Sequence, residues 1–229
     1  LSINNNLVRF DQSDKFNSRY ALVIDKQLYQ SSQEETGVIS ELDIAKPDTA
    51  DADKDGLTDI EETMFTTNSN SKDTDGDSYD DRTEILNLYS PLQGPGEFLL
   101  SETSLVKEYV SELGYRVLVP SSFTVQELTP GTIAFVTGRD DFFQIIQQEN
   151  PDGLPIKEWF LMQVPSVNYS QVNTLSLNGL DAIVSPDSSV VYVALDDKVY
   201  LLTYSHEQVD QIAFETTFEM FVNSFDRAR

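Results

Sequence analysis

The chain has 229 residues, 39% hydrophobic and 10% aromatic, enough apolar material to bury a core and too much for a disordered acidic tail. Its formal net charge of −24 makes phosphate backbones and anionic membrane surfaces unfit partners, so nucleic acid is excluded. The absence of cysteine excludes disulfides and thiolate metal sites.

No apolar run reaches the ~18 residues of a membrane span. With Leu rather than Met at position 1, the chain reads as a mature or excised ectodomain, held to a membrane only through an anchor that this sequence lacks. Residues 1–46 carry few signals. The apolar stretches 20–24 and 38–42 are candidates for short elements, separated by Asn- and Ser-rich turns.

From Pro47 the texture becomes acidic. Between Glu41 and Glu84 there are 15 acidic residues against four basic ones. Spacing separates a solvated acidic surface from a cation site. A twelve-residue calcium loop wants oxygen donors at positions 1, 3, 5, 7 (a backbone carbonyl), 9 and 12, with Gly at 6 for the sharp turn. Residues 51–62 supply Asp51, Asp53, Asp55, the Leu57 carbonyl, Asp59 and Glu62, with Gly56 in the sixth place. Residues 73–84 supply Asp73, Asp75, Asp77, the Tyr79 carbonyl, Asp81 and Glu84. Here Ser78 replaces the usual Gly, while Gly76 sits two residues earlier. That departure predicts a weaker or distorted second site. Carboxylates gathered this closely repel one another unless a divalent cation neutralises them, so two or more Ca2+ ions are expected. Asn68 and Asn70, just before the second loop, are candidates to lend amide oxygens to it.

No incoming helix precedes the first loop, and only about ten residues separate the two. With that spacing, residues 47–85 resemble bacterial thrombospondin type 3 repeats. The resemblance implies an extracellular, calcium-stabilised connector in which the ions act as the core, rather than a sensor that opens a groove.

Residues 85–89 continue a short helix, and Pro91, Gly94, Pro95 and Gly96 then mark a boundary. This divides the calcium-loop segment, 47–92, from a second unit, 98–229. In that unit Ser101 is positioned to cap a helix with apolar residues Leu105, Val106, Tyr109, Val110 and Leu113, ended by Gly114. Nine short β-rich runs follow, at 115–119, 123–128, 132–137, 142–147, 158–164, 174–177, 182–184, 190–195 and 199–203. The turns between them include Pro130-Gly131, Asn178-Gly179 and Asp196-Asp197, which suit hairpins. A last helix is expected over 207–223. The fold class is therefore α+β: a calcium-bound, loop-rich segment followed by an antiparallel sheet meander flanked by N- and C-terminal helices. Tyr115-Arg-Val-Leu-Val-Pro120, Leu177-Asn-Gly-Leu-Asp-Ala182 and Met220-Phe-Val-Asn-Ser-Phe225 give this unit a resemblance to the PsbP-like α+β fold. That group implies a mostly non-catalytic accessory protein.

Signs of catalysis are few. His206 is the one histidine of the chain, which rules out His-rich zinc sites and fits a polar residue at a helix start. No nucleophile elbow, phosphate loop or dinucleotide fingerprint is present. Asp140-Asp141 and Asp196-Asp197 fall at turns, where Asp is common. Trp159, Phe160, Phe142 and Phe143 read as sheet core.

The expected function is an extracellular or cell-surface protein without enzymatic activity. Its calcium loops would rigidify a connector to a domain that engages another protein or surface component. A structural subunit of an S-layer or filament, self-assembling with calcium at its joints, is a second reading. A secreted hydrolase with a calcium-stabilised accessory region is a third.

Overall fold

A computed structural model of the chain describes residues 2–4, 7–9, 49–139, 141–186, 188–205 and 212–228. The elements expected at 20–24 and 38–42, and His206, lie outside them. Strands β1 (Ser2–Asn4) and β2 (Leu7–Arg9) form a small antiparallel hairpin. Two short helices follow the acidic loops: α1 (Asp59–Phe65) and α2 (Asp81–Leu86). Beyond a 3-10 turn at Leu99–Ser101 come β3 (Val106–Val110), β4 (Tyr115–Pro120), β5 (Thr124–Thr129), β6 (Thr132–Val136) and β7 (Phe142–Glu149). Helix α3 (Ile156–Gln163) crosses to β8 (Thr174–Leu177), β9 (Leu180–Val184), β10 (Val190–Leu195) and β11 (Lys198–Ser205). Helix α4 (Glu215–Asn223) and β12 (Asp226–Arg227) complete the described chain.

Among the described residues two antiparallel sheets accompany the β1–β2 hairpin, one of seven strands in the order β5-β6-β7-β11-β10-β9-β8 and one of three in the order β12-β4-β3. Asn178 and Gly179, both at positive φ, close the β8–β9 hairpin as the sequence predicts. The architecture is the expected α+β class, an antiparallel meander with helices at both ends. Among the described residues no helix is long and apolar enough to cross a membrane.

Two elements differ from expectation. The segment expected as a helix from Ser101 to Gly114 is a 3-10 turn followed by strand β3, paired with β4 from Val106↔Pro120 to Val110↔Arg116. Its apolar residues satisfy helical spacing, but Val106, Tyr109 and Val110 are β-formers, and β4 offers a free edge to pair with. The run at 158–164, expected as a strand, belongs to α3. That helix buries Ile156, Trp159 and Phe160, an i, i+3, i+4 set that only a helix places on one face.

Three apolar clusters hold the molecule together. The largest packs the inner face of the seven-stranded sheet and β4 against one side of α4. Its ring pairs include Phe135–Phe221 and Phe143–Phe218, each with centroids 5.1 Å apart. A second lies between α3 and the opposite sheet face, around Trp159, Phe160 and Tyr192. The third gathers Leu57, Phe65, Ile85, Leu99, Leu105, Val106 and Met220 beneath the acidic loops. Met220 belongs to α4, so this one helix serves two cores. Burying a Phe or Leu side chain stabilises by roughly 1.5–3 kcal/mol, so α4 is strongly fixed from both sides.

Candidate metal centre

Each acidic loop folds around its own backbone in a repeated pattern. Asp51 accepts from the N–H of Lys54 at 2.7 Å and of Gly56 at 3.0 Å, and Asp73 accepts from Gly76 at 2.7 Å and Ser78 at 2.9 Å. One oxygen of Asp53 accepts from Asp55 N–H, and one of Asp55 from Leu57 N–H. Asp75 and Asp77 do the same with Asp77 and Tyr79. These bonds turn alternate side chains inward. One carboxylate oxygen from each of Asp51, Asp53 and Asp55 lies within 4.8 Å of the others, and Asp73, Asp75 and Asp77 repeat the arrangement.

The remaining oxygens have no donor. The Oδ2 atoms of Asp53, Asp55, Asp75 and Asp77, both side-chain oxygens of Glu62 and Oε2 of Glu84 are buried without a hydrogen-bond partner. Glu62 is 1% exposed and Glu84 4%. A buried, unpaired carboxylate oxygen costs about 1–3 kcal/mol or more. Burial lifts Glu62 to about 8, and the nearby Asp53 and Asp55 charges add to it. Glu84 rises to about 8 by burial and then by repulsion from Asp75 and Asp77. Asp55 reaches about 6, again through burial first, although the Leu57 N–H pulls it back. A hard divalent cation with oxygen ligands would satisfy these atoms.

The ninth positions are occupied differently. Asp59 accepts from Ala52 N–H at 2.9 Å, and Asp81 from Thr74 N–H at 2.8 Å and Thr74 Oγ1 at 2.7 Å. Both brace the loop, which suits a position that often reaches the ion through water. Asn68 accepts from Asn70 N–H, closing the turn between the loops.

Ser78 has a simple explanation in the backbone. Positions 4 and 6 of both loops have positive φ: Lys54 at 65° and Gly56 at 96°, Gly76 at 80° and Ser78 at 85°. Each loop therefore has one glycine and one strained non-glycine, in exchanged places. What requires glycine at 56 is packing: a Cβ there would lie 2.7 Å from Arg82 Cδ, whereas Ser78 is exposed. The distortion predicted from Ser78 has no counterpart in the loop's hydrogen bonds.

Several residues around the site were not singled out by sequence reasoning. Glu61, fully buried beside Glu62, accepts from Thr217 N–H at 2.7 Å and Thr217 Oγ1 at 2.8 Å, and forms a capping box with Thr58. Burial lifts Glu61 to about 7 despite those donors. Thr58 Oγ1 donates to the Ala213 carbonyl at 2.8 Å, and Thr216 Oγ1 to the Gly56 carbonyl at 3.1 Å. Arg82 reaches Thr216 at 3.1 Å and the fully buried Glu219 at 3.0 Å. Asn223 donates to the Leu86 carbonyl at 3.2 Å. Thr58-x-x-Glu61 is a capping-box signature legible in the sequence. Its partners on α4 are more than 150 residues away and left no local trace.

The chain matches no protein-family model and no curated protein. Among solved structures it is similar to a crystal structure from Bacteroides thetaiotaomicron, with a TM-score of 0.40 and 10% identity over 55% of this chain and 49% of that one. It is also similar to the solution structure of cyanobacterial PsbP (CyanoP) from Synechocystis, with a TM-score of 0.37 and 14% identity over 55% of this chain and 94% of that one. The alignment spans about half the length of the Bacteroides chain. The PsbP-like pattern thus has a faint counterpart in three dimensions, too loose to bear on function.

Proposed function

We propose that this is a calcium-binding protein whose two ions brace an interaction domain. One ion is held by Asp51, Asp53, Asp55, the Leu57 carbonyl and Glu62, with Asp59 acting through the loop. The other is held by Asp73, Asp75, Asp77, the Tyr79 carbonyl and Glu84, with Asp81 in the corresponding place. The observation that carries this reading is the set of buried, donorless carboxylate oxygens at Asp53, Asp55, Glu62, Asp75, Asp77 and Glu84. All lie at ligand positions of the two loops. Calcium fits better than magnesium, because the donors are numerous, anionic and set on a pliant loop rather than in a rigid octahedron.

The resemblance to thrombospondin type 3 repeats supports a structural role for the ions. The bonds from the first loop to α4 refine it: the calcium segment serves as a wall of the α+β unit as well as a connector to it. The role is one of binding, at the cell surface or outside the cell, toward a protein or surface component.

The test is thermal unfolding in excess chelator and in millimolar calcium. A ligand at 100 times its Kd stabilises by about 2.7 kcal/mol, which in a chain of this size raises Tm by roughly 5–10 °C per site. Superimposable melting curves in the two buffers would falsify the proposal.

A further inference from the structure

Along β4, Tyr115, Val117 and Val119 turn into the main core, so the alternate residues Arg116 and Leu118 face the other side of the three-stranded sheet. Segment 88–100 folds beside that side. Backbone bonds from Leu99 N–H to the Leu88 carbonyl and from Ser90 N–H to the Glu97 carbonyl, each 2.9 Å, pin the ends of its Pro- and Gly-rich turn together. Segment and sheet enclose a groove of about 420 Å³, lined by Leu88, Phe98 and Leu100 from the segment and by Glu108, Arg116 and Asp226 from the sheet.

Two properties define what such a groove accepts. The first is apolar surface held in the open. Phe98 is 63% exposed and Leu100 and Tyr89 are each 39% exposed, with the Tyr89 ring stacked on Phe98 at a centroid distance of 5.6 Å. An apolar patch with a polar rim marks a protein contact site, and aromatic anchors carry much of the energy there. The second is charge. Arg116 is held by Glu108 at 2.8 Å and by Asp226 at 2.5 Å, so two part-exposed carboxylates share one guanidinium and these three residues together carry one excess negative charge. An approaching ammonium or guanidinium finds a partner here, whereas an anion is repelled by this edge and by the chain's net charge of −24. The same net charge sets a second copy of the chain against the first.

We propose that this groove docks a basic, amphipathic segment of a partner protein, whose apolar side chains pack on Phe98 and Leu100 while a lysine or arginine pairs with Glu108 and Asp226. The inference rests on the binding role proposed above and names the chemistry of the partner. It does not rest on the ions, since the described lining includes no residue of the calcium loops, and its failure would leave the calcium-dependent shift in Tm untouched.

The probe is a fluorescently labelled heptapeptide of alternating lysine and leucine, titrated with the full chain in calcium and about 150 mM salt, where long-range attraction is screened. Two counterparts run beside it, one with serine for leucine and one with glutamate for lysine. The expected result is saturable anisotropy with the parent peptide and at least tenfold weaker binding of both counterparts. Phe98→Ser and Leu100→Ser should each weaken the parent peptide about tenfold, the scale of one lost anchor, and Glu108→Gln about threefold, the scale of one exposed charge pair. Met162→Ser, which removes an equally exposed apolar side chain from α3, should bind as the unmodified chain does, and circular dichroism should be the same for all four variants. No saturation up to about 1 mM protein overturns the proposal. So does equal binding of the serine or the glutamate peptide, full binding by both groove variants, or an equal loss in Met162→Ser. Sedimentation that shows a dimer abolished by Phe98→Ser overturns it too, by giving the groove to a second copy of the chain.

Discussion

The two acidic loops share one backbone pattern and differ in what lies behind it. In the first, the seventh residue is Leu57, fully buried among Phe65, Ile85 and Met220, and the loop carbonyl at Gly56 is held by Thr216 of α4. In the second, the seventh residue is Tyr79, 57% exposed, and no bond from residues 73–79 to α4 is found among the described residues. The seventh ligand position is thus buried in the first loop and exposed in the second, while the end of the second loop also reaches α4 through Arg82. Two sites of equal chemistry should then differ in how far their loss is felt.

The largest expected effect falls on Arg82, which lies in the second loop beside Gly56 of the first and joins both to α4. Arg82→Ala breaks the pair with the fully buried Glu219, and breaking a buried pair costs about 3–5 kcal/mol. Chemical denaturation should show that loss, and Arg82→Ala/Glu219→Gln should recover part of it. A variant as stable as the parent would mean that this pair does not hold the loops to the core.

Next come the ligands themselves. Asp53→Asn and Asp75→Asn each remove one inward oxygen charge, and each should abolish about 2–3 kcal/mol of calcium-dependent stability. The readout that separates them is amide hydrogen exchange in saturating calcium. Asp53→Asn should raise exchange in α4 more than Asp75→Asn does, because the Gly56 carbonyl of the first loop is itself bonded to Thr216 of α4. Equal loss of protection in α4 from both would mean that the loops act as one unit.

Glycine substitutions sharpen the contrast at smaller scale. Gly76→Ala meets no atom within 4 Å and bears backbone strain alone, about 1–2 kcal/mol. Gly56→Ala bears the same strain and also displaces Arg82, so its Tm should fall further. The order of the two melting temperatures is the check.

A final expectation concerns pH. Glu62 and Glu84 titrate near 8 and Asp55 near 6 in the ion-free fold, above their ordinary carboxylate values. Raised acids favour the fold while protonated, so the calcium-free protein should lose stability as pH rises from about 4.5 through 8. Calcium competes with those protons, and its apparent affinity should therefore rise over the same interval. Calorimetric titration at pH 5.5 and 8 measures it, and a pH-independent Kd would contradict the assignment of Glu62 and Glu84 as ligands.

The loops were legible because their chemistry is local: alternate Asp residues within twelve positions dictate both the turn and the converging oxygens. The meander was legible through Asn178-Gly179 and the alternating β-formers. What escaped depends on distance along the chain. Nothing near residue 106 announces β4 as its partner, so Val106, Tyr109 and Val110 passed for a helical face. The set Ile156, Trp159 and Phe160 was visible as a helical stripe, but aromatic content outweighed spacing in the reading of 158–164. At the site, Glu61 hid behind Glu62, and its Thr217 partners belong to another part of the fold.

Helix α4, lodged between two cores, also constrains the order of folding. The contacts that finish the first loop, Thr58 to Ala213 and Gly56 to Thr216, close chain loops of about 155–160 residues, and contacts so remote form late in folding. Residues 51–62 are present on the chain long before their backing is. Calcium added at the start of refolding should therefore meet both loops before α4 backs them, and the first loop, whose contacts close the longer chain loops, should be the later to lock.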